Sequence, residues 1–169
     1  MFGYGSAKLL REGRMTRATL AVLTAWVLMS GALAACGEGS GSSSAPPVDS
    51  KKLLADLPPP YNAADLKNGQ DHFSLCRSCH TIVQSGANMT GPNLYGVFGA
   101  KAAGKSGYTY SDALKAKGLT WDAATLDQWL AGPQTFVPGT KMSFPGLRDP
   151  NDRRDVIGYL KVASSGGPS

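Results

Sequence analysis

One short run concentrates the reactive side chains of this chain: Cys76-Arg77-Ser78-Cys79-His80. Two thiols two residues apart can each add to a vinyl group of one tetrapyrrole, and the adjacent imidazole can then bind the iron at its centre. The spacing matches a covalent haem-attachment site. Cys-x-x-Cys by itself is also the spacing of zinc sites and of thioredoxin-like redox pairs. Zinc needs two further ligands, and the remaining cysteine and histidine, Cys36 and His72, form no second cluster in the sequence. A redox pair would follow a strand and open a helix in a βαβ pattern, which is not visible here.

A haem held on one face by His80 needs a group on the other. Met142, 62 residues further on, is the best candidate. It sits in Val137-Pro138-Gly139-Thr140-Lys141-Met142, a turn on an irregular stretch, whereas a core methionine normally lies on a periodic apolar face. Met15 and Met29 fall near the N-terminus, Met1 is the initiator, and Met89 is only nine residues past His80. A thioether ligand favours ferrous iron, and filling both axial positions leaves outer-sphere electron transfer as the default chemistry.

The elements that position these groups read as helices separated by long loops. Ala63 to Leu75 can form a helix leading into the cysteine motif. Ser111 to Lys117 has a serine at the N-cap and Gly118 beyond its end. Asp122 to Ala131 is amphipathic, with Leu126, Trp129 and Leu130 on one face, and Gly132-Pro133 stops it. Asp149-Pro150 starts a last helix, with an acceptor at N-cap and proline at N1, and Val156, Ile157 and Leu160 form its apolar stripe. No strand pattern persists. The expectation is an all-α domain over residues 61–163 with a short tail at 164–169. A core of about 100 residues is small, and a large apolar cofactor would complete it.

The N-terminal third reads differently. Residues 1–35 have a basic start ending at Arg17, an apolar run from Ala18 to Met29, then small residues, as in an export signal. Leu33-Ala34-Ala35-Cys36 resembles a bacterial lipobox, which implies cleavage before Cys36 and acylation of that residue. The alternative is an uncut apolar helix anchored in the membrane. Both place the domain at a membrane, on the periplasmic or outer side. Residues 36–60 are rich in Gly, Ser and Pro and read as a flexible linker, with a reach on the order of 25 Å. Lys51-Lys52-Leu53-Leu54 within it could touch anionic lipid. The chain's formal charge is +5, about half of it from the export signal. No basic stripe interleaved with aromatics occurs, so nucleic acid is not an expected partner.

The domain resembles class I cytochrome c. The resemblance rests on the haem motif together with Thr90-Gly91-Pro92-Asn93-Leu94-Tyr95-Gly96-Val97-Phe98-Gly99, Gly107-Tyr108-Thr109-Tyr110-Ser111-Asp112-Ala113, Lys117-Gly118-Leu119-Thr120-Trp121, the Met142 segment through Phe144, and Ile157-Gly158-Tyr159-Leu160-Lys161. It implies a small class I cytochrome c fold around one covalently bound haem c, and an electron carrier rather than an enzyme. It implies thioether links at Cys76 and Cys79 and axial ligation by His80 and Met142. It also implies orientation of the His80 ring by the Pro92 carbonyl, propionate contacts from Tyr110 and Trp121, and a propionate or water contact from Thr140. Gly69, Phe73, Val156 and Tyr159 match the crossing of the first and last helices, and Phe144 the rim of the haem edge. The implied donor is a quinol-oxidising cytochrome complex. The implied acceptor is a terminal oxidase, a reductase or a photochemical centre.

Three positions depart from the mitochondrial pattern. Trp129 replaces a tyrosine near the methionine sulfur, Leu114 an asparagine in the short middle helix, and Ala100 an arginine near the propionate. The ring of lysines at the haem edge is also thinned. Those positions read Leu75, Ala87, Met89, Gln134, Thr135, Lys141, Arg148 and Asp149. Two further functions stay open at this level: a subunit carrying electrons inside one complex, and a haem enzyme or gas sensor with Met142 displaced. His72 is expected to be a solvated helix residue.

Overall fold

In a computed structural model the described residues are 48–166. The expected export signal, Cys36 and the Gly/Ser-rich stretch before Val48 lie outside them. Six α-helices follow in order: α1 (Ser50–Ala55), α2 (Leu66–Phe73), α3 (Asp112–Lys117), α4 (Ala123–Ala131), α5 (Pro133–Phe136) and α6 (Pro150–Ala163). A 3₁₀ turn, Tyr61–Ala63, precedes α2. Among the described residues the only β pairing is one isolated bridge between Lys101 and Thr120, as the all-helical expectation required.

The helix starts follow from side-chain chemistry. Asp65, Ser111, Asp122 and Asp149 each accept a hydrogen bond from a backbone N–H of the first turn of α2, α3, α4 and α6, satisfying donors that a helix leaves free at its N-terminus. At α4 the Thr125 hydroxyl returns a bond to the Asp122 N–H, closing a capping box. Gly118 ends α3 in the left-handed conformation, φ 63°, where a side chain is disfavoured. The expected first helix is shorter than its pattern: α2 starts at Leu66 because Asp65 is the cap, and ends at Phe73. Gly132-Pro133 does stop α4, but Pro133 also opens α5 as its N1 residue.

The framework is the crossing of α2 and α6. Gly69 lies against the Asp155 carbonyl and the Tyr159 Cβ, with no room for a Cβ of its own. Phe73 and Tyr159 meet at 5.2 Å between ring centroids, and Val156 and Ile157 are fully buried. Gly69, Phe73 and Tyr159, expected at this crossing, meet there, and Val156 is buried on α6. Asp155 locks the pair although it is itself buried. One carboxylate oxygen accepts from the Asp65 N–H at 2.9 Å and from Arg154 Nε at 2.6 Å, the other from Asn68 Nδ2 at 2.8 Å. His72 is also engaged here, with Nε2 3.1 Å from Asp152 on α6, so it bridges helices and is not the simple solvated residue expected. Arg153 ties α6 to α4 through Asp127 at 2.8 Å.

Both domain boundaries shift. The flexible linker expected to run through residue 60 is ordered from about residue 48. Asp49 caps α1, Leu54 packs against the core, Leu57 is buried, and Leu54 reaches the Gly158 backbone on α6. Lys51 and Lys52 stay exposed on the outer face. Packing Leu54 and Leu57 takes their apolar surface out of water. At the other end Ser164, placed in the tail by its sequence, is buried. Its carbonyl accepts from the Gly96 N–H at 2.9 Å. No helix among the described residues is long and apolar enough to cross a membrane.

Candidate haem site

The helices and loops enclose a mostly apolar cavity of about 790 Å³, in the range of cofactor sites. Cys76, Cys79, His80, Pro92, Tyr110, Trp121, Thr140 and Met142 all line it. The sequence separates these residues widely, and the fold brings every expected site residue of the domain to one wall or another.

The cysteine motif is carried by consecutive turns continuing from α2. The Cys76 N–H donates to the Phe73 carbonyl at 2.8 Å, and the Cys79 and His80 N–H groups to the Cys76 carbonyl at 3.1 and 2.9 Å. The two cysteines form no disulfide with each other. Burial, with a smaller contribution from Cys79, pushes the Cys76 thiol up to about 11. His80 Nδ1 lies 2.7 Å from the Pro92 carbonyl, which takes the Nδ1–H tautomer and leaves Nε2 as the free donor atom. Burial lowers the His80 pKa, with the Pro92 bond opposing it, so the ring is neutral at pH 7 as a metal ligand must be. Gly91 is required beside it, because a Cβ there would overlap the imidazole.

The loop under His80 is organised by Asn93, a residue whose role sequence reasoning missed. Its buried Nδ2 lies 2.6 Å from Thr81 Oγ1 and 2.9 Å from the Val83 and Gly86 carbonyls, and its Oδ1 accepts from the Tyr95 N–H at 2.8 Å. The only signal was an amide within a loop, which satisfies local backbone groups.

The Met142 loop has a similar organiser that the sequence did not reveal. Gln134, on α5, donates from Nε2 to the Thr140 carbonyl at 3.0 Å and to the Met142 carbonyl at 2.7 Å. Thr140 is buried, and its hydroxyl accepts a long bond from the Met142 N–H, 3.4 Å. Lys141 lines the cavity and donates from Nζ to the Thr109 carbonyl at 2.9 Å, joining the methionine loop to the tyrosine loop.

The remaining wall comes from the bridge region. Trp121 N–H donates to the Ala100 carbonyl at 2.9 Å, and Gly99 N–H to the Trp121 carbonyl at 2.8 Å. The Trp121 indole meets Trp129 edge-on, with centroids 5.4 Å apart. Leu114 and Trp129 are buried and line the cavity, and Ala100 lines it too. All three departures therefore face the site. Phe144 and the exposed Leu75 also line it.

Two thiols, a neutral imidazole and a thioether around an apolar hollow are a donor set suited to a covalently held haem. The cytochrome c family profile matches residues 66–164. The chain belongs to the cytochrome c family. Cytochrome c2 of Rhodomicrobium vannielii is 47% identical over 100 residues, covering 59% of this chain and 80% of that one. Cytochrome c2 iso-2 of Magnetospirillum molischianum is 51% identical over 90 residues, covering 53% and 92%. Among solved structures, cytochrome cH from Methylobacterium extorquens superposes with a TM-score of 0.54 at 52% identity, covering 58% of this chain and 98% of that one. This cytochrome accordingly has the class I fold, binds one covalent haem c and serves electron transfer rather than catalysis.

Proposed function

We propose that this cytochrome is a membrane-tethered carrier of single electrons. Its donor is a quinol-oxidising cytochrome complex and its acceptor a terminal oxidase, a reductase or a photochemical centre. The protein is anchored through acylated Cys36, with the domain on the periplasmic or outer face. Cys76 and Cys79 would hold the haem by thioether links, His80 and Met142 would ligate its iron, and Tyr110, Trp121 and Thr140 would hold its propionates.

The observation that carries this reading is the meeting of Cys76, Cys79, His80 and Met142 around one apolar cavity. The bound haem supplies a metal that changes charge by one electron. The chain's residues keep that change inexpensive. Pro92 fixes the His80 ring, Gln134 and Lys141 fix the backbone around Met142, and Leu114 with Trp129 exclude water. A site that moves little between two charge states exchanges electrons with little reorganisation. Among the described residues none favours the enzyme or sensor reading. Such chemistry needs an acid or base on the distal side, and His72 is held by Asp152 on another face and does not line the cavity.

The tether is tested with the full-length protein and its Cys36→Ala variant, by membrane fractionation and mass analysis of the mature N-terminus. The expected result is an acylated, membrane-bound protein that becomes soluble, or keeps its leader, in the variant. Unmodified Cys36 with unchanged membrane association in the variant would overturn the lipid anchor.

A further inference from the structure

The cavity wall carries an unbalanced charge. Lys101, Lys105 and Lys141 line it, and no aspartate, glutamate or arginine does. None of the three lysines makes a salt bridge among the described residues. An apolar hollow whose lining has lysines and no acidic residue suits a ligand that brings its own carboxylates.

The three are not equivalent. Lys101 is exposed, and its backbone is committed to the bridge with Thr120. Lys141 is exposed, and its ammonium is drawn to the Thr109 carbonyl. Lys105 is half-buried, and its Nζ donates to the Tyr95 carbonyl at 2.9 Å. That bond uses one of three ammonium protons and holds the group in place. The two remaining donors sit on a half-buried charge without a counter-ion, which is unfavourable unless a ligand supplies one. Tyr110 is its neighbour: the Lys105 backbone N–H reaches the phenol and opposes the upward push of burial on its pKa. Ala100 lines the same cavity and brings no charge.

Resting on the haem placement proposed above, we infer that Lys105 is the counter-ion of one haem propionate. It supplies from position 105 the charge that an arginine supplies at the position of Ala100 in the mitochondrial pattern. The Tyr95 carbonyl acts as its positioning partner. A fixed positive charge near the propionate offsets negative charge close to the iron and favours the reduced state.

The test is redox titration of the haem-loaded full-length protein, at one pH, with Lys105→Met, Lys105→Gln, Lys105→Arg and Lys101→Met. The unmodified protein must first show its ferric sulfur-to-iron band. Absence of that band defeats the ligation reading, and this inference with it, before any lysine is changed. With the band present and retained in the variants, Lys105→Met and Lys105→Gln are expected to lower the reduction equilibrium constant roughly threefold, about 28 mV at 59 mV per tenfold. Lys105→Arg stays within a third of that shift, and so does Lys101→Met. Unchanged potentials in both neutral variants would overturn the assignment, even if they unfold more easily, because Lys105 would then serve only to hold the Tyr95 carbonyl. An equal fall in Lys105→Arg or Lys101→Met would overturn it as well, the first showing a packing effect and the second a general charge effect.

Discussion

At the scale of single residues, the site depends on side chains that hold ligands still and dry. Leu114 is 7% exposed and contributes only carbon to a wall where the mitochondrial pattern has an amide. A buried dipole there would stabilise the more highly charged ferric state. Leu114→Asn is therefore expected to lower the midpoint potential by roughly 30 mV, where 59 mV is tenfold, and redox titration checks it. No change would remove the argument for a dry pocket. That Cys76, Cys79, His80 and Met142 would line one cavity was legible in the sequence because each has a distinctive type and spacing: two thiols and an imidazole in five residues, and a methionine outside any periodic face. Gln134 and Asn93 were not legible in the same way. Their role consists of bonds to backbone carbonyls, and any loop amide can make such bonds until the fold shows which carbonyls are near.

At the scale of elements, caps were the readable part and burial the unreadable part. Ser111 and Asp149 announced α3 and α6 at the right residue, whereas α4 was read from its apolar face and begins one residue after Asp122, which caps it. α1 was missed because six residues between Gly/Ser-rich and Pro-rich stretches show too little periodicity, although Leu54 and Leu57 lie close enough to share a buried face. Asp155 was missed because a carboxylate in a helix ordinarily faces water, whereas here it joins α2 to α6. Burial opposes its ionisation, but hydrogen bonds from Arg154, Asn68 and the Asp65 N–H outweigh that cost and hold its pKa below the ordinary value. A folded pKa below the unfolded value, about 3.9, stabilises the fold above that pH and loses the stabilisation as pH falls through the folded pKa. Thermal unfolding should thus show an acid-side loss beginning near pH 4 that is reduced in Asp155→Asn. The same variant should be less stable at pH 7 by about 1–3 kcal/mol, since its partners lose their charged acceptor. A variant as stable as the parent at pH 7, with an unchanged acid limb, would contradict this role.

At the scale of the whole molecule, charge separates this cytochrome from a strongly steered carrier. From Tyr61 onward the chain has 11 basic and 8 acidic residues. Around the expected docking face Leu75 and Met89 are 57% and 48% exposed, and Lys141 is tied to Thr109. Long-range attraction should be weak, and a tether would raise local concentration in its place. The bimolecular electron-transfer rate with a charged acceptor is expected to change less than about threefold between low and physiological ionic strength; a steep fall would contradict it. The overall architecture was legible because a haem motif and helix caps together leave few ways to close so small a core. What was not legible is how the N-terminal segment folds back on α6, since that depends on a complementary surface rather than on local pattern. Everything proposed for this site depends on His80 and Met142 both binding the iron of a haem held at Cys76 and Cys79. The most direct measurement is the optical spectrum of the full-length protein matured with haem, compared with Met142→Ala. A sharp reduced α-band and a weak ferric sulfur-to-iron band that vanishes in the variant are expected. A high-spin ferric spectrum lacking the sulfur band in the unmodified protein would contradict this ligation.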